Sequence, residues 1–347
     1  MLVENIENFE KSQKDDKNIN KILLIKINEG RNFGKDISNE INNINKIGSL
    51  YNKQNIKTKN CKIKDKKPNI KNNNMIPIEE YEEDIMKNLF TEETKNRPDY
   101  NILKNILSEK DIVSRFSCLE LANYLNFTFN FRQETLYLTY NLFDRFLLHL
   151  KQSNKLNIVN IKVVMLACIF VSAKYEEIYP PFLEEYKEFI IFSENDIFKL
   201  EYDILEYAGF NLHIYSPYLF LSKFYLLENN ENLKILYGAQ FILELCMISL
   251  IFCSYKPSFQ ATLSLYLSKK FLNDIVNQNN LWTSDNVFNT GYSESEIKSN
   301  LKNPLKIIKQ YFSGNIVKDI NKTALFRKFS STKYCEVWKI FKDLFKN

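Results

Sequence analysis

The chain has 347 residues, 45% of them hydrophobic, which is enough for two domains with buried cores and a tail. Only 7 glycines and 8 prolines supply tight turns, so the composition excludes most turn-rich all-β folds and favours helices. The 47 basic residues are offset by 42 acidic ones, and the net charge of +5 does not require a nucleic-acid partner.

Neither a metal site nor a disulfide framework is predicted. The six cysteines form no C-x-x-C pair and mostly fall in apolar stretches, which is typical of free thiols in a reducing compartment. His149 and His213 are too far apart in sequence to suggest a local metal site. No glycine-rich phosphate loop, nucleophile elbow or H-E-x-x-H motif is present, so neither a cofactor nor enzymatic activity is expected.

No membrane association is predicted. The longest uncharged runs, Val163–Ala173 and Leu245–Tyr255, are about half as long as the roughly 20 apolar residues that a membrane-spanning helix needs. The first residues carry Glu4, Glu7 and Glu10, which argues against a secretory signal. The two runs are therefore interpreted as helices buried inside a water-soluble protein.

Residues 1–76 differ in composition from the rest of the chain. Asn and Lys are frequent there and aromatic residues are few, so the segment cannot bury enough apolar surface to offset the entropy lost on ordering. We therefore predict a disordered tail over residues 1–76. A basic run in this tail is either a nuclear import signal or a solvated linker, and it consists of Lys57, Lys59, Lys62, Lys64, Lys66 and Lys67.

From Pro77 onwards the sequence predicts one N-terminal helix and then a train of five more. Pro77 suits a first helical position, and Arg97-Pro98 ends this first element. Ser108 with Asp111 resembles a capping box for the first helix of the train. The second is predicted at about 132–149, the third from near Asn157 to Pro180, the fourth over Phe182–Ile191, and the fifth from a cap at Ser193 with Asp196 to Gly209.

A second set of helices follows, which suggests an internal duplication of architecture. Ser216-Pro217 opens a helix of about 13 residues, and further helices are predicted at about 232–253, 257–272, 293–312 and 316–328. The expected fold class is all-α. Its parts are a tail at residues 1–76, a first domain at 77–212 and a second domain at 213–335.

Four charged side chains lie on the apolar stripes of predicted helices instead of on solvated faces. Arg115 and Asp144 belong to two helices of one domain, and because a buried charge needs a partner we predict a structural ion pair between them. Lys174 and Glu201 have no such clear internal partner. They either pair with each other or face outward on an apolar rim, where they would meet another protein.

The run Lys174–Pro181, which reads K-Y-E-E-I-Y-P-P, ends a buried helix in a charge cluster and a double proline. The prolines stop the helix because they lack a backbone N–H and restrict the residue before them. Glu176 and Glu177 then lie near a helix C-terminus, where the helix dipole disfavours negative charge. Residues placed against local preference suggest a binding surface.

Two further motifs accompany this run, R-Q-E-T-L-Y-L at Arg132–Leu138 and D-R-F-L at Asp144–Leu147. Together the three motifs resemble those of the mitotic, A/B-type cyclin family. Tyr81–Ile85 resembles the family's N-terminal helix, and weaker matches occur at Pro257-Ser258 and over Arg327–Tyr334. The resemblance covers about residues 78–335 and implies tandem five-helix cyclin-box domains preceded by an N-terminal helix.

Members of that family are regulatory subunits without catalysis of their own. The resemblance therefore implies a subunit that binds and activates a cyclin-dependent protein kinase in cell-cycle control, in the nucleus and the cytoplasm. Two alternatives stay open, namely a helical scaffold that does not activate a kinase and a basal transcription factor of the cyclin fold. Acidic residues around 176–188 and the missing zinc ribbon argue against the transcription factor.

The resemblance also implies where the kinase binds. Lys174 and Glu201 match residues that hydrogen-bond to backbone atoms of the kinase, and apolar anchors would surround them. For each aromatic anchor, packing in the core is the alternative. The predicted kinase-binding residues are Lys174, Glu201, Tyr175, Glu177, Ile178, Tyr179, Phe170, Phe182 and Leu205.

One part of the family pattern is missing. Cyclins of this class build a groove for Arg-x-Leu peptides from M-R-A-I-L and a tryptophan, whereas this chain reads S-R-F-S-C at 114–118. The arginine of the ion pair is kept and the large apolar lining is not. We therefore predict a degenerate peptide-docking patch that consists of Ser114, Ser117, Cys118, Leu121 and Lys162.

The tail contains a stretch that resembles a cyclin destruction box, at residues 31–39. Its central leucine is replaced by Gly34, which removes the apolar anchor. If the signal works, the ubiquitin-ligase machinery is a second partner, bound through the tail. The matching residues are Arg31, Asp36, Ile37 and Asn39.

Overall fold

The protein is seen here as a computed structural model that describes residues 78–228, 232–272, 281–317 and 319–345, with side chains from residue 84 onwards. Over these ranges it consists of α-helices and short 3₁₀ helices without a strand, which confirms the all-α prediction. The predicted tail at 1–76, with its basic run and destruction-box motif, lies outside the described residues. No helix within the described ranges has both the length and the apolar character required to cross a membrane.

The first half of the fold contains six α-helices and one 3₁₀ helix. Its central helix is α5, in which every residue from Val163 to Ala173 is buried. The helices are α1 (Ile78–Glu92), α2 (Tyr100–Ile106), α3 (Glu109–Thr128), α4 (Gln133–Gln152), α5 (Ile161–Glu176) and α6 (Glu194–Tyr207), with the 3₁₀ helix Leu183–Glu188 between α5 and α6.

The second half is centred on two helices, α8 and α10, which pack against each other. Its α-helices are α7 (Pro217–Leu227), α8 (Leu233–Cys246), α9 (Leu250–Ser254), α10 (Pro257–Leu272), α11 (Ser284–Thr290), α12 (Glu294–Asn300), α13 (Lys302–Phe312), α14 (Ala324–Phe329) and α15 (Val337–Phe345), and 3₁₀ helices cover Ile320–Lys322 and Thr332–Tyr334.

In the first half, helix ends agree with the sequence prediction where the capping residues are close neighbours in the chain. Ser108 and Asp111 form the predicted capping box, and α6 ends just before Gly209, whose φ of +61° favours glycine. The predicted start near Asn157 was wrong, because Asn160 caps α5 through the N–H of Lys162. α5 also ends earlier than Pro180, the fourth helix is a 3₁₀ helix, and Ser193 stands at the N-cap of α6 without a side-chain hydrogen bond.

Two helices predicted as continuous in the second half are broken. The helix at 232–253 stops at Cys246, and α9 begins after Ser249, whose hydroxyl accepts the Phe252 N–H. The helix at 293–312 divides at Leu301, and Pro304 falls in the first turn of α13, where its missing N–H is tolerated. The helix at 316–328 is replaced by the 3₁₀ helix and α14. Neither α11 nor α15 was predicted.

Arg115 of α3 and Asp144 of α4 form the ion pair predicted from the sequence. Nε and Nη2 of Arg115 donate to the two carboxylate oxygens at 2.7 Å each, and both side chains are buried. The remaining nitrogen, Nη1, donates to the carbonyl oxygens of Met247 and Ile248, both at 3.1 Å. Arg115 thus also bonds to the backbone between α8 and α9. This link between the two halves of the fold was not predicted from the sequence.

The C-terminal segment returns to the first half of the fold. Lys328 of α14 is buried, and its Nζ donates to Glu244 of α8 at 2.6 Å and to Gln133 of α4 at 3.1 Å. Ala324 donates its N–H to the carboxylate of Glu120 on α3 at 3.0 Å. The segment therefore bonds to helices of both halves at once.

We expect the stability of the fold to fall as the pH rises through the titration of Glu120. Burial raises the pKa of Glu120 to about 7, although the hydrogen bond from the Ala324 N–H lowers it. In the unfolded chain the pKa returns to about 4.5, so the folded state holds the proton more tightly between about pH 4.5 and 7. In Glu120→Gln the free energy of unfolding should decline less between about pH 4.5 and 7. Urea unfolding at one pH below this range and one above it measures the difference. A decline of equal size in the variant would contradict the assignment.

Candidate functional site

The C-terminal end of α5 and the loop after it form the candidate site. Glu177 leaves the helical conformation at φ −95° and ψ 144°, and the double proline keeps the chain extended until the 3₁₀ helix begins at Leu183. The apolar side chains of this loop point away from the core. Ile178 is 85% exposed, Tyr179 91% and Phe182 77%.

Lys174, in the last turn of α5, forms an ion pair with Glu201 of α6. Of the two alternatives that the sequence left open, the structure adopts pairing with each other. The pair stays at the surface, because the Lys174 side chain is 40% exposed and Glu201 18%. Lys174 Nζ also lies 4.3 Å from the centroid of the Phe170 ring, a cation–π contact. The pair thus marks the edge of the exposed loop.

Two aromatic residues of α6 extend the exposed apolar surface and were not predicted. Phe198 and Tyr202 are more than half exposed and lie four residues apart on one face, on either side of Glu201. This spacing around a charged residue is the signal that could have identified them. Leu205, which was predicted as an anchor, is partly buried against the core. We name as the apolar face the exposed residues Tyr175, Ile178, Tyr179, Phe182, Phe198 and Tyr202.

Two residues predicted to contact a kinase are instead directed into this chain. Phe170 is buried, and its ring packs edge-on against Tyr186 with the ring centroids 6.2 Å apart. The core-packing alternative therefore applies to Phe170. Glu177 accepts hydrogen bonds from the Arg132 N–H and the Thr135 hydroxyl at the start of α4. Neither side chain belongs to the apolar face.

Helix α6, which carries part of the apolar face, and the 3₁₀ helix that follows the loop are acidic. The 3₁₀ helix and α6 together contain eight acidic residues and two lysines, Lys187 and Lys199. Lys187 is engaged with Glu194 in an ion pair. A partner surface with basic groups around an apolar centre would be electrostatically complementary to this region.

The predicted peptide-docking patch lies on α3 and at the start of α5. Ser114, Ser117, Leu121 and Lys162 are partly buried, and the Ser117 hydroxyl donates to the Val113 carbonyl. Cys118 is fully buried, so it cannot line a surface groove. Burial also raises the pKa of its thiol to about 12. The patch is therefore small and poor in apolar side chains.

We expect Arg-x-Leu peptides to bind this patch weakly. Replacement of large apolar side chains by serines and a leucine removes burial worth about 25 cal/mol per Å², which sums to several kcal/mol of lost affinity. Titration of a labelled Arg-x-Leu peptide against the purified chain measures the binding. Micromolar affinity that is lost on Leu121→Asp would contradict the prediction.

No metal centre is found in the described part of the chain, where no group of three His, Cys, Asp or Glu residues is arranged to hold an ion. The cysteines described there are free, and four of them are buried. His213 and His149 each lie against a tyrosine ring, Tyr215 and Tyr207. The site is built from apolar, aromatic and charged side chains, which suit contact with another protein.

Two protein-family models match the chain in succession. One, the cyclin N-terminal domain, matches residues 84–213, and the other, the cyclin C-terminal domain, matches residues 215–342. The chain belongs to the cyclin family. The two matched domains correspond to the two halves of the fold, so this cyclin has the tandem architecture that its motifs implied.

Plant and animal cyclins are among its relatives. Cyclin-A1-4 of Oryza sativa subsp. japonica is 28% identical over 257 residues, covering 72% of this chain and 68% of that protein. The G2/mitotic-specific cyclin-A of Hydra viridissima is 28% identical over 266 residues, with coverages of 74% and 58%. Cyclin-B2-3 of Arabidopsis thaliana is 27% identical over 217 residues, with coverages of 61% and 46%. The chain thus spans about half to two thirds of the length of these curated relatives.

A solved structure shares the fold. The X-ray structure of a viral cyclin from herpesvirus saimiri superposes with a TM-score of 0.54 at 16% identity, covering 64% of this chain and 96% of the viral one. At this identity the match concerns the fold alone. It supports the arrangement of two successive cyclin domains.

Proposed function

We propose that this cyclin is a non-catalytic regulatory subunit that binds and activates a cyclin-dependent protein kinase. The observation that carries the proposal is the apolar face beside the Lys174–Glu201 pair. Large apolar side chains exposed together on neighbouring elements are typical of protein–protein contacts. Charged groups next to such anchors add hydrogen bonds that fix the orientation of the partner.

Activation would work through a shift in conformational population. A free kinase of this type rarely holds its C helix inward, so the Lys–Glu ion pair needed for phosphoryl transfer is not formed. A cyclin that binds only the inward state moves the equilibrium towards it. A shift from 1:99 to 99:1 requires about 5.5 kcal/mol of differential affinity.

We expect burial of the apolar face to supply that free energy. Complete burial of a side chain such as Ile178 or Phe182 contributes about 1.5–3 kcal/mol. The other four residues of the apolar face are also more than half exposed and add further contributions, namely Tyr175, Tyr179, Phe198 and Tyr202. Part of the sum is lost to the cost of association, and the remainder would act on the kinase conformation.

Co-purification with cyclin-dependent kinases followed by a histone-type phosphorylation assay tests the proposal. Wild-type chain should bind and raise kinase activity, and Ile178→Asp should prevent both. Ile158→Asp is a matched control, because Ile158 is 82% exposed in the turn that precedes α5, at the end of this helix opposite to the loop. Binding without activation would indicate the scaffold alternative, and absence of binding to any such kinase would contradict the proposal.

We also propose regulated degradation and a nuclear as well as cytoplasmic location, on the basis of the tail motifs alone. Deletion of residues 31–39 should lengthen the half-life of the protein as cells divide, because a destruction box recruits the ubiquitin-ligase machinery. Deletion of residues 40–48 serves as a control of equal length. Equal half-lives for the wild type and both deletions would contradict the proposal.

A further inference from the structure

Glu177 connects the loop of the apolar face to the beginning of α4. Its Oε1 accepts the backbone N–H of Arg132 at 2.8 Å and the hydroxyl of Thr135. Arg132 is the N-cap residue of α4 and makes no capping hydrogen bond with its own side chain. Glu177 therefore takes the place that an acidic residue at the third helical position takes in an ordinary capping box.

The position is favourable for a carboxylate. The first N–H groups of a helix have no partner within the helix, and the helix dipole is positive at this end. Thr135 is buried, so its hydroxyl depends on a partner from within the protein. The negative charge that the C-terminus of α5 disfavours is thus stabilised by the N-terminus of α4.

Both the backbone and the side chain of Glu177 are held. Its N–H donates to the carbonyl oxygen of Ala173 at 2.9 Å, which closes the last turn of α5. At the other end of the loop, the N–H of Phe182 donates to Glu185 at 2.8 Å. Between these two fixed points lie two exposed apolar residues and two prolines, which restrict the backbone further.

We propose that Glu177 is a positioning residue, which sets the direction in which Ile178 and Tyr179 project and thereby controls the affinity for the kinase. This inference rests on the proposed function, since it assigns a role within the same surface. It differs from the expectation that Glu177 itself contacts the kinase. If Glu177 acts through α4, then the buried Thr135, which no partner can reach, must influence kinase binding as well.

The kinase affinities of threonine variants of α4 distinguish a positioning role of Glu177 from direct contact of Glu177 with the kinase. Thr135→Val removes the hydroxyl that Glu177 needs, and we expect about tenfold weaker binding, because a hydrogen bond to a charged group contributes about that factor. Thr135→Ser keeps the hydroxyl and should bind like the wild type. Thr139→Val is the matched control, because Thr139 is equally buried one turn later and donates only to the Thr135 carbonyl.

A second readout follows the loop itself. The amides of Arg132, Glu177 and Phe182 are hydrogen-bonded, and in the free chain their hydrogen exchange should be faster in Thr135→Val and Glu177→Ala than in Thr139→Val. The double variant Thr135→Val/Glu177→Ala should weaken kinase binding no more than Glu177→Ala alone, because both substitutions break the same hydrogen bond. Thermal unfolding confirms that each variant is folded at the temperature of the assay.

The outcomes are distinguishable. Weaker binding of Glu177→Ala with unchanged binding and exchange of Thr135→Val would overturn the inference and leave the proposed function standing. Equal losses in Thr135→Val and Thr139→Val would also overturn it, because they would reflect general loosening of α4. If the wild type binds no kinase, the proposed function fails, and the exchange data then report separately on whether Glu177 anchors the loop.

Discussion

Exchanging the charges of Lys174 and Glu201 should abolish kinase binding and leave the fold intact. The double variant Lys174→Glu/Glu201→Lys restores an ion pair at a partly exposed site, where such pairs contribute little to stability. It places the wrong charge opposite each kinase group. Loss of two charge-assisted hydrogen bonds predicts binding weaker by about a hundredfold or more.

Calorimetric titration with a purified kinase measures this effect, and circular dichroism reports on the fold. Lys187→Glu/Glu194→Lys is a matched control, because this exposed ion pair joins the 3₁₀ helix to α6 in the same region. It should bind within a few-fold of the wild type. If the Lys174/Glu201 exchange binds like the wild type, the pair is structural and the site assignment is wrong.

Removal of Arg115 should have the largest effect on stability. Arg115→Ala leaves the buried carboxylate of Asp144 without a counter-ion and takes the donor from the carbonyls of Met247 and Ile248. Breaking a buried pair in this way costs about 3–5 kcal/mol, which is a large part of the stability of a typical domain. Urea unfolding followed by circular dichroism measures the loss.

A second variant shows whether the unpaired charge causes the loss. Arg115→Met/Asp144→Leu replaces both partners by apolar side chains of similar size, and it should lose much less stability than Arg115→Ala. The bonds to Met247 and Ile248 disappear in both variants. Equal destabilisation of the two variants would therefore mean that these bonds, and not the ion pair, dominate.

Much of the first half of the fold could be predicted because its determinants are local. Ser108 and Asp111 are three residues apart and form a capping box, and Arg115 and Asp144 each stand out on an apolar stripe. The break between Cys246 and Leu250 could not be predicted in the same way. The carbonyls released there bond to Arg115, which is more than 130 residues earlier in the chain.

The candidate site, too, could be predicted only where its determinants lie within one segment of the chain. The double proline predicted the end of the helix and the charge cluster before it a binding surface, and Ile178 and Tyr179 are exposed there. Phe198 and Tyr202 were not predicted, because an aromatic residue on an amphipathic helix is as compatible with the core as with an interface. The direction of Glu177 depends on Thr135 of another helix. The pattern of one segment does not contain that information.

The returning C-terminal segment limits how freely cyclin domains can be recombined. Lys328 needs Glu244 from the second half and Gln133 from the first, and Ala324 needs Glu120. A chimera that takes its second domain from another cyclin would lose Lys328 and Ala324, the donors to Gln133 and Glu120 of this first domain. Designers of hybrid cyclins would therefore have to transplant the acceptor positions of α3 and α4 together with the foreign C-terminus.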